Sequence, residues 1–355
     1  MYYVLILINK LLKCFINLFV PQKKLRLKYR EEINKTLSGI SLNLFKKHIS
    51  KKYKDYWIFV PFWPWGDFII GCSLLKEFKK ENGGKILLFY KNKNQLEFIK
   101  SLGIADKIIK LPREIYYATC TNTITEKHNE YGLKKGVIYE LSHHVFNSAE
   151  TNKSNNFTEL YAKMLNLRDI KFSTPQFSKE IIDKVNALYS KISRGKKVIM
   201  LSPHANSYDE KEISSHYWRK LGIYLENLGY KVVVNTNKNL LNEFESVYLP
   251  LPEQCYFATL CYGNISIRSG FTDLITICGA NNQIVLYPES MRFITITQEH
   301  QLFEMKRIFN FNTAISFEEN MFNWTSINNM YHKNFKEEVI KYSKTEIEIL
   351  SLSNK

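Results

Sequence analysis

Three short stretches put glycine and polar residues directly behind apolar runs, where a strand would end and a helix would begin. The richest is Arg268-Ser269-Gly270-Phe271-Thr272-Asp273, which follows Ile265-Ser266-Ile267. A helix opening after Ser269 would present backbone N–H groups without intrahelical partners and the positive end of its dipole. Gly270 would allow close approach, Ser269 and Thr272 would add hydroxyl donors, and Arg268 a fixed charge, so the assembly suits a pyrophosphate. The plainer alternative makes Ser269 an N-cap, Asp273 a first-turn acid and Arg268 its ion partner. It explains the serine and the aspartate but not why Arg-Ser-Gly stands at a buried strand end.

The second stretch is Trp63-Pro64-Trp65-Gly66-Asp67, behind Tyr56-Trp57-Ile58-Phe59-Val60. Its glycine permits a tight entry into the following helix and places Asp67 at or near the first turn. There the carboxylate either favours the helix dipole as a cap or serves as general base on an acceptor hydroxyl, and spacing alone leaves both open. The third is Ser202-Pro203-His204-Ala205-Asn206-Ser207, which leads through Lys211 to Trp218. Lys211 or His204 could neutralise phosphate oxygens there; a polar surface loop with a structural histidine is the alternative. No GxxxxGK[ST] loop, GxSxG elbow, HExxH pair or GxGxxG fingerprint occurs, and His143-His144 has no carboxylate or cysteine pattern that would suggest a metal. No metal and no cofactor is therefore expected.

The elements that would position these stretches read as alternating strands and helices. Tyr56–Val60, Lys85–Tyr90 and Lys107–Leu111 are unalternating apolar runs, as in strands buried on both faces. Helical spacing runs from Phe68 to Lys80 and from Gln95 to Leu102, with Asn82-Gly83-Gly84 and Gly103 as stops. Gly136–Tyr139 is a further strand, Phe157–Leu167 a helix, and Lys171–Ser178, with Pro175, an extended connection. The second half repeats the grammar. Strands are expected at Lys196–Pro203, Tyr230–Asn235, Asn264–Ile267 and Asn282–Pro288, and helices at Trp218–Leu228, Tyr256–Tyr262 and Gly270–Cys278. A charged helix over Lys336–Leu350 ends the chain. The reading is an α/β protein of two Rossmann-like domains with parallel sheets: residues 55–175 and 176–330, between an N-terminal segment 1–54 and a terminal helix 331–355.

A chain of 355 residues with 45% hydrophobic and 14% aromatic content has material for two cores, which excludes disorder. Its six cysteines, at positions 14, 72, 120, 255, 261 and 278, form no CxxC pair, so buried thiols and a reducing cytoplasm fit better than disulfides or a zinc knuckle. The 50 Lys+Arg against 34 Asp+Glu give a net charge of +16, which favours an anionic partner. The basic residues are dense between Lys23 and Lys54, behind an apolar Met1–Val20 whose Asn9, Lys10, Lys13 and Asn17 fall on one helical stripe. That describes an amphipathic helix, lying either on an anionic membrane surface or on the protein body. Two mid-length lysines argue against a spanning helix, and no basic region precedes the apolar run as a signal peptide requires.

Gly66-Asp67-Phe68-Ile69-Ile70 with Leu74-Leu75, Ser202-Pro203-His204 with Lys211 and Trp218, and Ile267-Arg268-Ser269-Gly270 followed by Ile284–Pro288 together resemble a family. The chain looks like the GT-B glycosyltransferases related to the bacterial heptosyltransferases of lipopolysaccharide and capsule assembly, a likeness that covers roughly residues 55–300. The resemblance implies an inverting, metal-independent hexosyl- or heptosyl-type transferase with its active site between the domains. Its partners would be a nucleotide-sugar donor and a glycan or lipid-linked acceptor. Asp67 would be the acceptor base behind the loop of Trp65 and Gly66. Ser202, His204, Lys211, Arg268, Ser269, Gly270, Thr272 and Asp273 would make the donor site. Such an enzyme would be cytoplasmic and peripheral on the inner membrane through residues 1–54. Two departures stand out: Arg268 where the family has Asp or Asn, and Asp273 where a His is usual, so the donor need not be the family's common heptose. A non-sugar group transferase on the same scaffold is a second class. A basic membrane- or nucleic-acid-binding protein is a third, but it would need aromatics interleaved with Lys/Arg on an exposed face, and most aromatics here fall in core positions, so nucleic acid is not an expected partner.

Overall fold

The apolar runs that read as doubly buried strands pair side by side in two separate sheets. The computed structural model describes residues 43–61, 64–111, 133–141, 157–204, 215–237, 241–280 and 282–288, the strand backbone of 322–328, and the isolated Leu11, Leu12, Cys14 and Leu25. The N-terminal amphipathic helix as a whole, Cys120, Lys211 and the expected helix Lys336–Leu350 lie outside the described residues.

Helix α1 spans residues 43–52 and leads into β1 (Tyr56–Pro61). Then follow α2 (Trp65–Asn82), β2 (Lys85–Tyr90), α3 (Lys93–Leu102), β3 (Lys107–Lys110), β4 (Ile138–Leu141) and α4 (Phe157–Leu165). The four strands pair in the order β3-β2-β1-β4, all parallel. Phe45 and Ile49 of α1 cover one face, against Ile58, Val60, Leu87 and Phe89, and α2 covers the other. The fourth strand lies two residues later than its apolar run suggests. Gly136, at φ 76°, takes the turn before it and packs on the Lys54 backbone, where a Cβ would come within 3.1 Å.

The second sheet is entered through α5 (Lys179–Ser193), followed by β5 (Val198–Ser202), α6 (Ser215–Asn227), β6 (Lys231–Val234), β7 (Glu245–Ser246) and α7 (Leu251–Leu260). It continues with β8 (Gly263–Ile267), α8 (Gly270–Ile277), β9 (Gln283–Pro288) and β10 (Phe322–Asn328). The order is β10-β9-β8-β5-β6-β7. Here the expectation of a purely parallel sheet is corrected, because β10 pairs antiparallel with β9. Two further elements depart from the sequence reading. Helix α5, which was not expected, turns Val185 and Ile192 inward. Helix α7 starts five residues early, because Pro252 sits in its first turn, where no intrahelical N–H is needed.

Each sheet has one point where the chain reverses its direction of growth: between β1 and β4 in the first, and between β5 and β8 in the second. In open parallel sheets the crevice beyond the strand ends at that switch is where ligands bind. Helices α2 and α8 leave these switch points and pack against each other, and α3 touches α7. One apolar core runs through the contact, joining Phe68, Leu75 and Phe98 to Phe257, Leu274 and Ile275. Cys72, Cys255, Cys261 and Cys278 are buried free thiols, while Cys14 is exposed. Among the described residues no helix is long and apolar enough to cross a membrane.

Candidate active site

Backbone approach comes first. A Cβ on Gly270 would lie 2.7 Å from the Gly66 nitrogen and 3.1 Å from the Trp65 Cβ. A Cβ on Gly66 would lie 2.3 Å from Asp273 Oδ2. The opening turns of α2 and α8 therefore meet through two glycines, and neither position has room for a side chain. Gly66, Asp67, Gly270 and Asp273, expected from separate stretches, converge at this contact.

Pro64 stands at the N-cap of α2 without a side-chain capping bond, so Asp67 is a first-turn acid and not the cap itself. Its carboxylate has a tertiary partner: the Tyr161 hydroxyl of α4 donates to Asp67 Oδ1 at 3.2 Å and lies 3.4 Å from the Leu141 carbonyl of β4. Tyr161 is 1% exposed. Burial, then the Asp67 charge, pushes its phenol well above the usual range. Trp65 is half-buried, with its ring against Phe68 and Phe98 at centroid distances of 5.3 and 5.7 Å.

At the opposite switch point Ser269 is the N-cap of α8, in extended conformation, and its N–H donates to Thr272 Oγ1 at 3.2 Å. Thr272 is fully buried and also donates to the Ile267 carbonyl, so its hydroxyl serves the turn. Arg268 is only 5% exposed; its Nη1 donates to Asp273 Oδ2 at 2.9 Å and to the Ser269 carbonyl at 2.8 Å. The structure thus gives this guanidinium to its own turn, as the ion-partner alternative describes. Ser269, Gly270 and Phe271 keep partial exposure. Asp273 Oδ1 is buried and accepts no hydrogen bond from the described residues. Burial pushes this carboxyl up to about 6 against the pull of Arg268, and the Asp67 charge adds to the rise.

Ser202 ends β5 opposite Ser266 of β8 and accepts a bond from Asn235 Nδ2 at 3.3 Å. His204 is half-buried two residues on, beside the same switch point. Two residues of the site were not expected from the sequence. Tyr161 stands next to Leu160 on α4, and only its hydroxyl could have marked it. Glu140, paired in register with Val60 at the end of β4, is 5% exposed, and burial pushes its carboxyl up to about 7. Among the described residues no group of three or more His, Cys, Asp or Glu could hold a metal ion.

The arrangement can therefore place a carboxylate from one sheet beside the positive end of a helix from the other. No family model matches the sequence, and no curated protein matches it. Solved structures similar to the chain include a glycosyl transferase family 9 protein from Veillonella parvula, at 13% identity and TM-score 0.49, covering 66% of this chain and 81% of that one. The E. coli ADP-heptose LPS heptosyltransferase II is 11% identical with TM-score 0.48, over 71% of this chain and 97% of that one. The E. coli heptosyltransferase WaaC with ADP is 12% identical with TM-score 0.43, over 70% and 99%.

Proposed function

We propose that this chain is a glycosyltransferase that moves a sugar from a nucleotide-activated donor to a hydroxyl of a bacterial surface glycan, of the lipopolysaccharide or capsule kind. The observation that carries the reading is the meeting of two switch points: Asp67 opens α2 where the Ser269-Gly270 turn opens α8. A transfer with inversion needs a base on the acceptor side and fixed positive potential on the leaving side. Asp67 takes the acceptor proton as the acceptor oxygen bonds the anomeric carbon. The bond from that carbon to the diphosphate breaks, and the leaving oxygen keeps the electron pair.

The N–H groups that open α8 seat the diphosphate, with Ser269 and Gly270 at closest approach. Arg268 acts there through its pair with Asp273, and Lys211 adds positive charge on the donor side. No metal takes part in this scheme. The enzyme works on the cytoplasmic face of the inner membrane, held by the basic, amphipathic residues 1–54.

The test is Asp67→Asn, with transfer measured from a panel of nucleotide sugars chosen by thermal shift, since a bound donor raises the unfolding temperature. Turnover is expected to be lost while donor binding and folding persist. Unchanged turnover removes Asp67 as base, and a panel in which no nucleotide sugar stabilises the protein removes the glycosyltransferase reading.

A further inference from the structure

Asp67 and Gly71 are four residues apart on α2 and so share one helix face. The Tyr161 ring lies on that face: a Cβ on Gly71 would meet Tyr161 Cε1 at 3.1 Å and the Leu141 Cβ at 3.2 Å. The glycine leaves the space through which a ring anchored on α4 reaches forward by one turn to the carboxylate. A phenylalanine would fill the same space. A buried phenol is costly unless its hydroxyl is bonded, and this one is bonded to Asp67 Oδ1 and to the Leu141 carbonyl.

We infer that Tyr161 is the positioning residue of the proposed base: it fixes the rotation of the Asp67 carboxylate. The inference rests on the reading of Asp67 as base, but the Tyr161–Asp67 coupling is measurable without it. The need for such a donor is visible around the carboxylate. From α8, Asp273 faces it and repels its charge, and Asp273 is paired with Arg268. From β4, Glu140 adds a second carboxyl to the field at Tyr161, and Cys72 lies nearby on α2 itself. The Tyr161 hydroxyl donates to the Asp67 side chain.

The experiment uses the full chain, labelled with carboxyl-¹³C aspartate, in wild-type and Tyr161→Phe forms, with Asp67→Asn assigning the resonance. Tyr161→Phe is expected to shift the Asp67 carboxyl resonance at fixed pH. At the same time kcat should fall while KM for the donor holds, because the buried phenol touches no substrate. A merely structural role would lower stability and leave the resonance in place and kcat undiminished at equal folded protein; that result overturns the inference. If the resonance moves while wild-type protein transfers no sugar, the coupling stands and the glycosyltransferase reading falls. If Tyr161→Phe does not fold, wild-type protein labelled at tyrosine Cζ decides. The Tyr161 signal should move in Asp67→Asn; a signal indifferent to Asp67 overturns the proposal.

Discussion

Replacing Gly270 by alanine tests the contact on which the site is built, because two physical effects of opposite sign compete there. Gly270 is the first residue of α8, and its φ is not positive, so alanine suits the backbone. On conformational entropy alone Gly→Ala would stabilise the protein by about 0.4–1 kcal/mol. Against this, the new Cβ would stand 2.7 Å from the Gly66 nitrogen, 3.1 Å from the Trp65 Cβ and 3.3 Å from the Trp65 carbonyl carbon. Comfortable separation is about 3.5 Å or more. The first turns of α2 and α8 must therefore part by something under ~1 Å, and the nearest atom is backbone, which cannot swing aside.

Overpacking of this kind costs about 1–3 kcal/mol. The net expectation is a destabilisation of roughly 1–2 kcal/mol, read as a lower urea midpoint at unchanged m-value. Gly66→Ala meets a side-chain atom, Asp273 Oδ2, which can move only by straining its bond to Arg268. The double variant should cost less than the sum of the two, since both relieve themselves by the same separation. An alanine at 270 that raises the urea midpoint would refute the reasoning, for it would mean the two helix openings are not in contact.

The buried ion pair gives a second prediction: Arg268→Met leaves the buried Asp273 without its partner, at a cost of about 3–5 kcal/mol, whereas Arg268→Met with Asp273→Leu should recover most of the loss in the same denaturation assay. A third concerns pH. Glu140 ionises near 4.5 when unfolded and at about 7 in the fold, so its contribution is fully present below pH 4.5 and is lost as pH rises through 7. Glu140→Gln should therefore gain on wild type in thermal melts at pH 8 and show no such gain at pH 4.5; equal gains at both would contradict the buried carboxyl. A fourth is that adding EDTA leaves sugar transfer unchanged, measured as nucleoside diphosphate release; its abolition would bring a metal into the mechanism.

The strand runs and the glycine stops were legible because burial on both faces and helix termination are local matters of residue type. Val198–Ser202, Gly263–Ile267 and the Gly270 helix start all fall within a residue or two of where their apolar runs place them. Helix α5 was not, although its Ile181, Val185, Leu188 and Ile192 keep helical spacing, because only a narrow stripe is buried. The antiparallel β10 could not be read either, since strand direction depends on a pairing partner remote in the chain.

For the site, the sequence by itself determined that Asp67 opens a helix after a buried strand and that Ser269-Gly270 opens another. Those are consequences of spacing, capping and glycine's freedom to turn. Tertiary structure alone decided that the two openings touch, that Arg268 turns inward to Asp273, and that a tyrosine 94 residues away donates to Asp67. Each of these depends on which elements share a boundary. Residue type fixes what a side chain can do, while the packing of α2 against α8 and α4 fixes what it has within reach.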